Sequence, residues 1–537
     1  MNRNKIVVRR MPMRLKNGLT LLFFVGSAFT ALLWLGHPAS IEAASPKSTP
    51  TVQTPAATPQ YGGVLKVIES LLSMRSFGYP PQMGPIDWFC AMPAVEGLTA
   101  YPEKGTTPGP LLATSWKYSP DYKSLTLTLR KGVKFHDGTD FNAQAVKYNL
   151  TANKTSRVEL ASVISIDVID DYTVRLNLSR YSNLLLKHLG SIPGFMVSPT
   201  AVERNGKEWA TTNPVGTGPF KFVSYQRQAS LKYEKFSGYW DKGKPYLDGV
   251  EFVFIADPTV ARMSFEKGEA HIVLPAIRDA RDLVSKGYQL INSPTAGFQL
   301  GGDSVNPDSV YANRKVREAI EYAIDKEAIT KALGYGFWEP AHQYCYPTFV
   351  GHNPNIKGRP YNPTKAKQLL SEAGLASGFK TKIIVRTGPE SDAWVVVQRY
   401  LRDVGIDAEL DVADPGRHLA ATYQGWKNCL LFLPITPSDP NYDVYQQVLA
   451  STRKMYVSIQ RPPGWDDLLG RALAATDPAS VRSAAQDLTK MVHDEAMVIP
   501  LWWELKPAIS QKSVHDNDIL KFNSRFRWTP ANTWLSR

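Results

Sequence analysis

The chain of 537 residues has only three cysteines, Cys90, Cys345 and Cys429, and no two are near each other in sequence. No C-x-x-C pair and no Cys/His spacing of a zinc site occurs. One disulfide with a free thiol and three buried thiols both fit such a set. A G-x-S-x-G nucleophile elbow is missing, and so are internal repeats. The Gly-rich stretch "NPVGTGPFKF" (213–222) lacks the Gly-Lys-Ser/Thr of a phosphate loop. Such a loop runs its glycines into a helix N-terminus, where unpaired N–H groups face the anion. Here Gly216 and Gly218 lead into "FKFVSYQ", a strand-type run. A tight turn where the chain changes lobes is expected.

A concentrated basic face is also lacking, although the formal net charge is +13. Arg3, Lys5, Arg9, Arg10, Arg14 and Lys16 precede an uncharged stretch, "LTLLFFVGSAFTALLWLG" (19–36), and small residues at "IEAAS". This is the layout of a secretory signal. Cleavage after Ala43 removes those six bases and Glu42 and lowers the charge to +8. The remaining Lys and Arg are scattered among acids, with no basic helix or aromatic-interleaved stripe, so no nucleic-acid role is expected. The apolar stretch is also long enough to stay as a membrane anchor of about eighteen residues. No Cys stands at its end, the first being Cys90, which excludes a lipid on a signal-peptide cysteine. "SPKSTPTVQTPAATPQ" (45–60) has a single charge and cannot build a core, so it reads as a tether. Residues 1–43 are therefore a cleaved signal or an anchor and 44–60 a linker. Either way the folded body is expected outside the cytoplasm, in the periplasm or on the outer face of the cell membrane, secreted or membrane-anchored.

From Tyr61 onward the chain alternates strands and helices. In "SLTLTLRKGVKF" Leu125, Leu127 and Leu129 share one face, the period of a half-buried strand, and Val174, Leu176 and Leu178 repeat it in "YTVRLNL". "RKVREAIEYAIDKEAITKAL" places Val316, Ala319, Ile320, Ala323 and Ile324 at helical spacing. "DPASVRSAAQDLTKMV" opens with Asp477 as N-cap and Pro478 in the first turn, and "NPTKAKQLLSEAGL" ends at Gly374, a suitable C-cap. At this length two or three lobes are expected, and the intermixed elements make them α/β. In "FHDGT" (135–139) no second His lies within metal-ligand spacing, and Asp137-Gly138 is a turn before a helix starting near Asn142.

Several blocks resemble one family in its own order. "LLATSWKYSPDYKSLTLTLRKGVKFHDGTDFNAQAVKYNL" (111–150) is similar to the signature of the family 5 extracellular solute-binding proteins of ABC importers, the peptide, nickel and oligosaccharide type. "NPVGTGPFKF", "YWDKGKPYLDGVEFVFIADPTVARMSFEKGEAHI", "NRKVREAIEYAIDKEAI", "YNPTKAKQLLSEAGL" and "IPLWW" complete the set. The resemblance implies a two-lobed periplasmic-binding-protein-like clamshell with an extra inserted domain. Domain I is then 61–98, 213–303 and 500–537, domain II is 99–212 and domain III is 304–499. Ligand is enclosed between domains I and III, and closure is a hinge motion that ligand contacts stabilise.

The resemblance further implies a monomer without cofactor or metal that hands a ligand, by default a peptide, to membrane permease and ATPase subunits. An oligosaccharide or other non-peptide ligand is the alternative. A secreted hydrolase and a chemosensory binding protein are readings from other classes. Trp88, Phe89, Trp426, Trp502 and Trp503 lie in segments that approach the family's cleft, where aromatic walls suit a large ligand. Adjacent strand residues face opposite ways, so one of Trp502 and Trp503 is expected to point at ligand. Peptide-binding members carry a W-x-x-D-Y-x-D-P-like segment whose first Asp pairs with the ligand's α-ammonium. "LPITPSDP" (433–440) keeps Asp439-Pro440 but has Thr436 at the amine-binding position. A hydroxyl does not supply the charge-assisted bond of a carboxylate. Arg386, at the end of a strand, is a candidate partner for a ligand carboxylate.

Overall fold

The computed structural model describes residues 58–537 apart from 71–73, 85–86, 103–105, 389, 453–454 and 520–527. The expected signal or anchor and most of the linker lie outside the described residues.

A mixed sheet of eleven strands runs through the body. At one end Val64–Glu69 pairs in parallel with Gly249–Phe254 and Ile272–Val273. At the other, Phe379–Arg386 pairs in parallel with Ile406–Ala413 and Leu430–Ile435. Two long antiparallel strands, Gln289–Gly302 and Ile499–Ser510, join these halves. Ser510 and Ile509 pair with Ile272 and Val273 of the first half. Residues 297–302 pair with Leu430–Ile435 of the second, and 502–504 with Trp338–Pro340. Ile499–Ser510 thus pairs with the first half at one end and with the second at the other, and Gln289–Gly302 runs beside it into the second half. The register slips between Pro294 and Ala296 at the crossing, and Pro507 lies in the partner strand. Proline carries no N–H, so the ladder is weakest where the halves meet. Helices cover the sheet, as expected of an α/β chain.

A separate antiparallel sheet of four strands (Ala113–Tyr118, Ser124–Leu129, Thr173–Leu178, Val163–Asp170) lies between the first two parts of that large sheet in sequence. Leu125, Leu127, Leu129, Val174, Leu176 and Leu178 are all buried, as their alternation demands, in a cluster drawn from Leu98 to Met196. The helix Ala143–Lys154 packs with them and is capped by Asn142 through Ala145 N. Asp477 likewise caps Pro478–Asp494, and Gly374 takes a left-handed φ of 78° after Pro363–Glu372. Val316, Ala319, Ile320 and Ala323 share one helix, with Ile324 as its C-cap, but the stretch 314–333 is not a single helix. It breaks into Arg314–Ala323 and Lys326–Leu333 because the Asp325 side chain accepts from Ala328 N and caps the second piece.

"NPVGTGPFKF" is a backbone staple. A Cβ at Gly216 would sit 2.0 Å from the Ala94 carbonyl oxygen, which cannot move aside. Gly218 N donates to Ala94 O, and the Gly216 carbonyl accepts from His136 N. The glycines therefore serve close approach of chain segments. Asp137 of "FHDGT" accepts from Thr139 N and from the Ser198 hydroxyl, a turn as expected. All three cysteines are buried thiols, and none is paired in a disulfide.

Beside this staple Glu96 is buried, accepting from the Thr217 hydroxyl (2.8 Å), the Tyr239 hydroxyl (2.9 Å) and Trp240 Nε1 (2.9 Å). Burial outweighs these donors and the nearby Arg130, and pushes its carboxyl from 4.5 up to about 7. In that window the folded state holds a proton that the unfolded state has released. Stability from this group is therefore complete below 4.5 and lost as pH rises through about 7. The loss is at most about 3 kcal/mol. A melting-temperature profile should fall across this interval, and Glu96→Gln should flatten it.

Candidate functional site

A cavity of about 1210 Å³ lies over the crossing strands. It is larger than the roughly 300–1,000 Å³ of most small-ligand pockets. Its floor is Pro294, Thr295 and Ala296 of one strand with Glu504, Lys506 and Pro507 of the other. One wall comes from the C-terminal ends of the parallel strands of the first half: Ser70, Ile255 and 274–278. The facing wall comes from the second half, with Thr436 and Ser438 directly after Leu430–Ile435, Asp443 and Gln447 on Tyr442–Val448, and Tyr456. Crevices beyond the C-terminal ends of parallel strands are where open α/β sheets take ligands. A third side is built by Tyr101, 156–159 and His188, all from the 98–196 region.

The lining mixes apolar surface with both signs of charge. Arg157, Arg278 and Lys506 face Glu159, Asp392 and Glu504 in the same space. The Arg157 guanidinium donates to the carbonyls of Pro80 and Met83, and burial lowers its pKa from the arginine range. Asp443 is already paired: its Oδ2 lies 2.7 Å from Lys187 Nζ and its Oδ1 3.0 Å from His188 Nε2. Asn183 donates to the carbonyls of Ala472 and Ala475 and accepts from the Tyr442 hydroxyl. The 98–196 region and the second half thus meet across the cavity.

Of the residues expected at ligand, Trp88 and Thr436 line this cavity. Trp88 stacks on Phe195 with ring centroids 6.3 Å apart. Thr436 is exposed to the cavity. The other six are placed elsewhere. Phe89 stacks on Trp528 in the core of the first half. Arg386 lies over the Phe432 ring and 3.6 Å from Glu390. Trp426 is buried beside Ser458, and the Asp439 side chain accepts from Val350 N to hold a loop. Trp502 and Trp503 do face opposite ways, but each enters a core, because the strand is covered on both sides. A Cβ at Gly297 would meet the Trp503 ring at 2.4 Å, so glycine there lets the ring lie across the sheet.

Sequence reasoning missed the charged pair Glu504 and Lys506. Its signal was available: two charges at i, i+2 in "IPLWWELKPAIS", an otherwise apolar central strand. Arg157, Glu159, His188 and Asp443 carried no comparable local signal. Among the described residues no helix is long and apolar enough to cross a membrane.

The family model of bacterial extracellular solute-binding proteins, family 5 Middle, matches residues 107–455. Glutathione-binding protein GsiB of Shigella flexneri is 32% identical over 416 residues, covering 73% of this chain and 80% of GsiB. In structure, the ABC transporter-associated periplasmic binding protein DppA of Helicobacter pylori, solved with the peptide STSA, superposes with a TM-score of 0.76 at 24% identity. It covers 89% of this chain and 99% of DppA. AgaA of A. tumefaciens R10, solved with agropinic acid, gives 0.74 at 24% identity over 88% of this chain and 99% of AgaA. The fold is their two-lobed clamshell, and the cavity lies between its lobes. On the matched family model, and on the relative aligned over most of both lengths, the chain belongs to the bacterial extracellular solute-binding proteins, family 5.

Proposed function

We propose that the chain captures a short peptide or peptide-like zwitterion between its lobes and presents it, unmodified, to the permease and ATPase subunits of an ABC importer. One observation carries this reading: the cavity lies on the two long strands that join the halves of the sheet, and its walls come from both halves. A ligand touching both walls stabilises the closed arrangement over an open one, and bending at Pro294 and Pro507 permits the motion. The lobes divide near 294–296 and 504–507, with 99–212 moving with the first. Balanced cationic and anionic lining suits a molecule carrying both charges. The glutathione-binding relative and the peptide held by DppA support the ligand class. Thr436 contacts ligand in this scheme, with Arg278, Glu504 and Lys506, while Trp88, only 1% exposed, backs the wall from the core. The N-terminal segment either directs export and is cleaved or holds the body at the outer face of the membrane.

A titration of the purified protein with reduced glutathione and short peptides, followed by tryptophan fluorescence, should saturate. Mass spectrometry should recover the bound molecule intact, and small-angle scattering should show a smaller radius of gyration when it is bound. Turnover of the peptide, or unchanged dimensions with a tightly held compound, would overturn the reading.

A further inference from the structure

Lys187 is fully buried, yet its ammonium is held almost entirely by groups of the opposite half. Nζ donates to Asp443 Oδ2 (2.7 Å), the Ser438 hydroxyl (2.7 Å) and the Asp439 carbonyl (3.1 Å). These three acceptors of the facing half suit a primary ammonium, and the Tyr101 side chain is a further hydrogen-bond partner. The Tyr101 ring lies 5.2 Å from the same nitrogen, within range of a cation–π contact. Ser438 in turn donates to Asp443 Oδ2 at 2.9 Å, and Gln447 Nε2 to Asp443 Oδ1 at 3.1 Å, so the acceptors are oriented by their own neighbours. Tyr101, Ser438 and Asp443 also line the ligand cavity, whereas Lys187 stands behind them.

We propose that Ser438, Asp439 and Asp443, with Tyr101, form a primary-ammonium subsite at one end of the ligand cavity, which Lys187 fills from the facing lobe. Lys187 is then a specificity-determining plug. The protein disfavours ligands that bring a free α-ammonium to this end and favours peptides whose amino end is acylated or points elsewhere. The ligand consequence rests on the peptide reading above; the subsite itself does not. Burial opposes both charges, but Lys187 and His188 hold the Asp443 carboxyl well below the carboxylate range, and Asp443 and Tyr101 hold Lys187 above the lysine range. The cage offers a carboxylate, a hydroxyl oxygen, a carbonyl oxygen and a ring face to its guest, a set that suits a cation that donates hydrogen bonds. A second consequence is mechanical, since the plug crosses between lobes and its seating accompanies closure.

The test removes the plug from the full chain. In Lys187→Ala, methylammonium chloride should raise the melting temperature progressively with concentration, by mass action on an emptied site. Tetramethylammonium chloride and sodium chloride at equal ionic strength should not, because neither donates a hydrogen bond. Wild type and Lys187→Met, whose side chain still fills the space, should respond to all three salts alike. If Lys187→Ala fails to fold, methylammonium should restore its folding. Equal responses to the three salts, or none to methylammonium, overturn the proposal. Peptide binding gives the second readout: Lys187→Ala should gain about tenfold or more for a free-amine peptide over its N-acetylated form relative to wild type. An unchanged ratio with both peptides bound overturns the plug and leaves the peptide reading standing. Methylammonium rescue with no peptide bound by either protein supports the subsite and removes the peptide reading.

Discussion

Trp502→Ala should cost about 3–5 kcal/mol of folding stability, the range for emptying a large aromatic site in a core. Trp502 has no exposed surface. Its ring stacks on Phe298 (5.4 Å) and Trp338 (5.0 Å), both at 16° between planes, and meets Trp394 at 5.5 Å. These partners come from a crossing strand, an edge strand and a helix of the second half, so the ring fixes three elements at once. Trp502 Nε1 has no hydrogen-bond partner among the described residues, and Trp502→Phe sheds that unpaired donor while keeping the stack. The phenylalanine variant should therefore lose far less stability than the alanine variant. Urea unfolding of the two variants checks this. If Trp502 instead touches ligand, its alanine variant would lose affinity with little loss of stability, and the ordering of the two effects decides between the roles.

The same residue shows where sequence reasoning stops. Alternation correctly sends Trp502 and Trp503 to opposite faces, but it does not say what covers each face. In a central strand of a sheet with helices on both sides, both faces are core, and the cavity opens two to five residues further on, at Glu504, Lys506 and Pro507. Local devices were legible because their causes are local. The alternating leucines of Ser124–Leu129, the caps at Asn142 and Asp477, and the Asp137-Gly138 turn each need only neighbouring residues. The break at Asp325 was legible in principle, since Asp three residues before Ala328 is a capping signal that the apolar spacing overrode. The Lys187–Asp443 contact was not legible. Its partners are 256 residues apart, and a lysine in "LLLKHLG" reads as a solvated face until the fold brings an acceptor to it. For the glycines of "NPVGTGPFKF" the sequence indicates a tight turn, but their packing duty depends on the backbone at 93–95, far upstream.

Glu321 makes the same point with an equally large expected effect. In sequence it is one charge on an amphipathic helix, next to Ile320. In the structure its carboxylate is fully buried, with Oε1 2.9 Å from Lys326 Nζ and Oε2 3.0 Å from Arg359 Nη1. Lys326 also donates to the Ala341 carbonyl, and Arg359 to Glu318 and to the His493 carbonyl. One side chain thus ties Arg314–Ala323 to the start of the next helix, to a loop and to the end of Pro478–Asp494. Glu321→Ala leaves two buried cations facing each other without their shared anion, and should cost about 3–5 kcal/mol. Burial opposes the Glu321 charge, but Lys326 and Arg359 outweigh it and hold the carboxyl below the ordinary 4.5. Its contribution is accordingly complete above 4.5 and lost as pH falls through the lowered value. Urea unfolding near neutrality should show the full gap between wild type and Glu321→Ala, and the gap should narrow in acid. A variant that loses less than about 1 kcal/mol near neutrality, the scale of an exposed ion pair, would mean that water reaches these charges and that the triad does not hold the second lobe together.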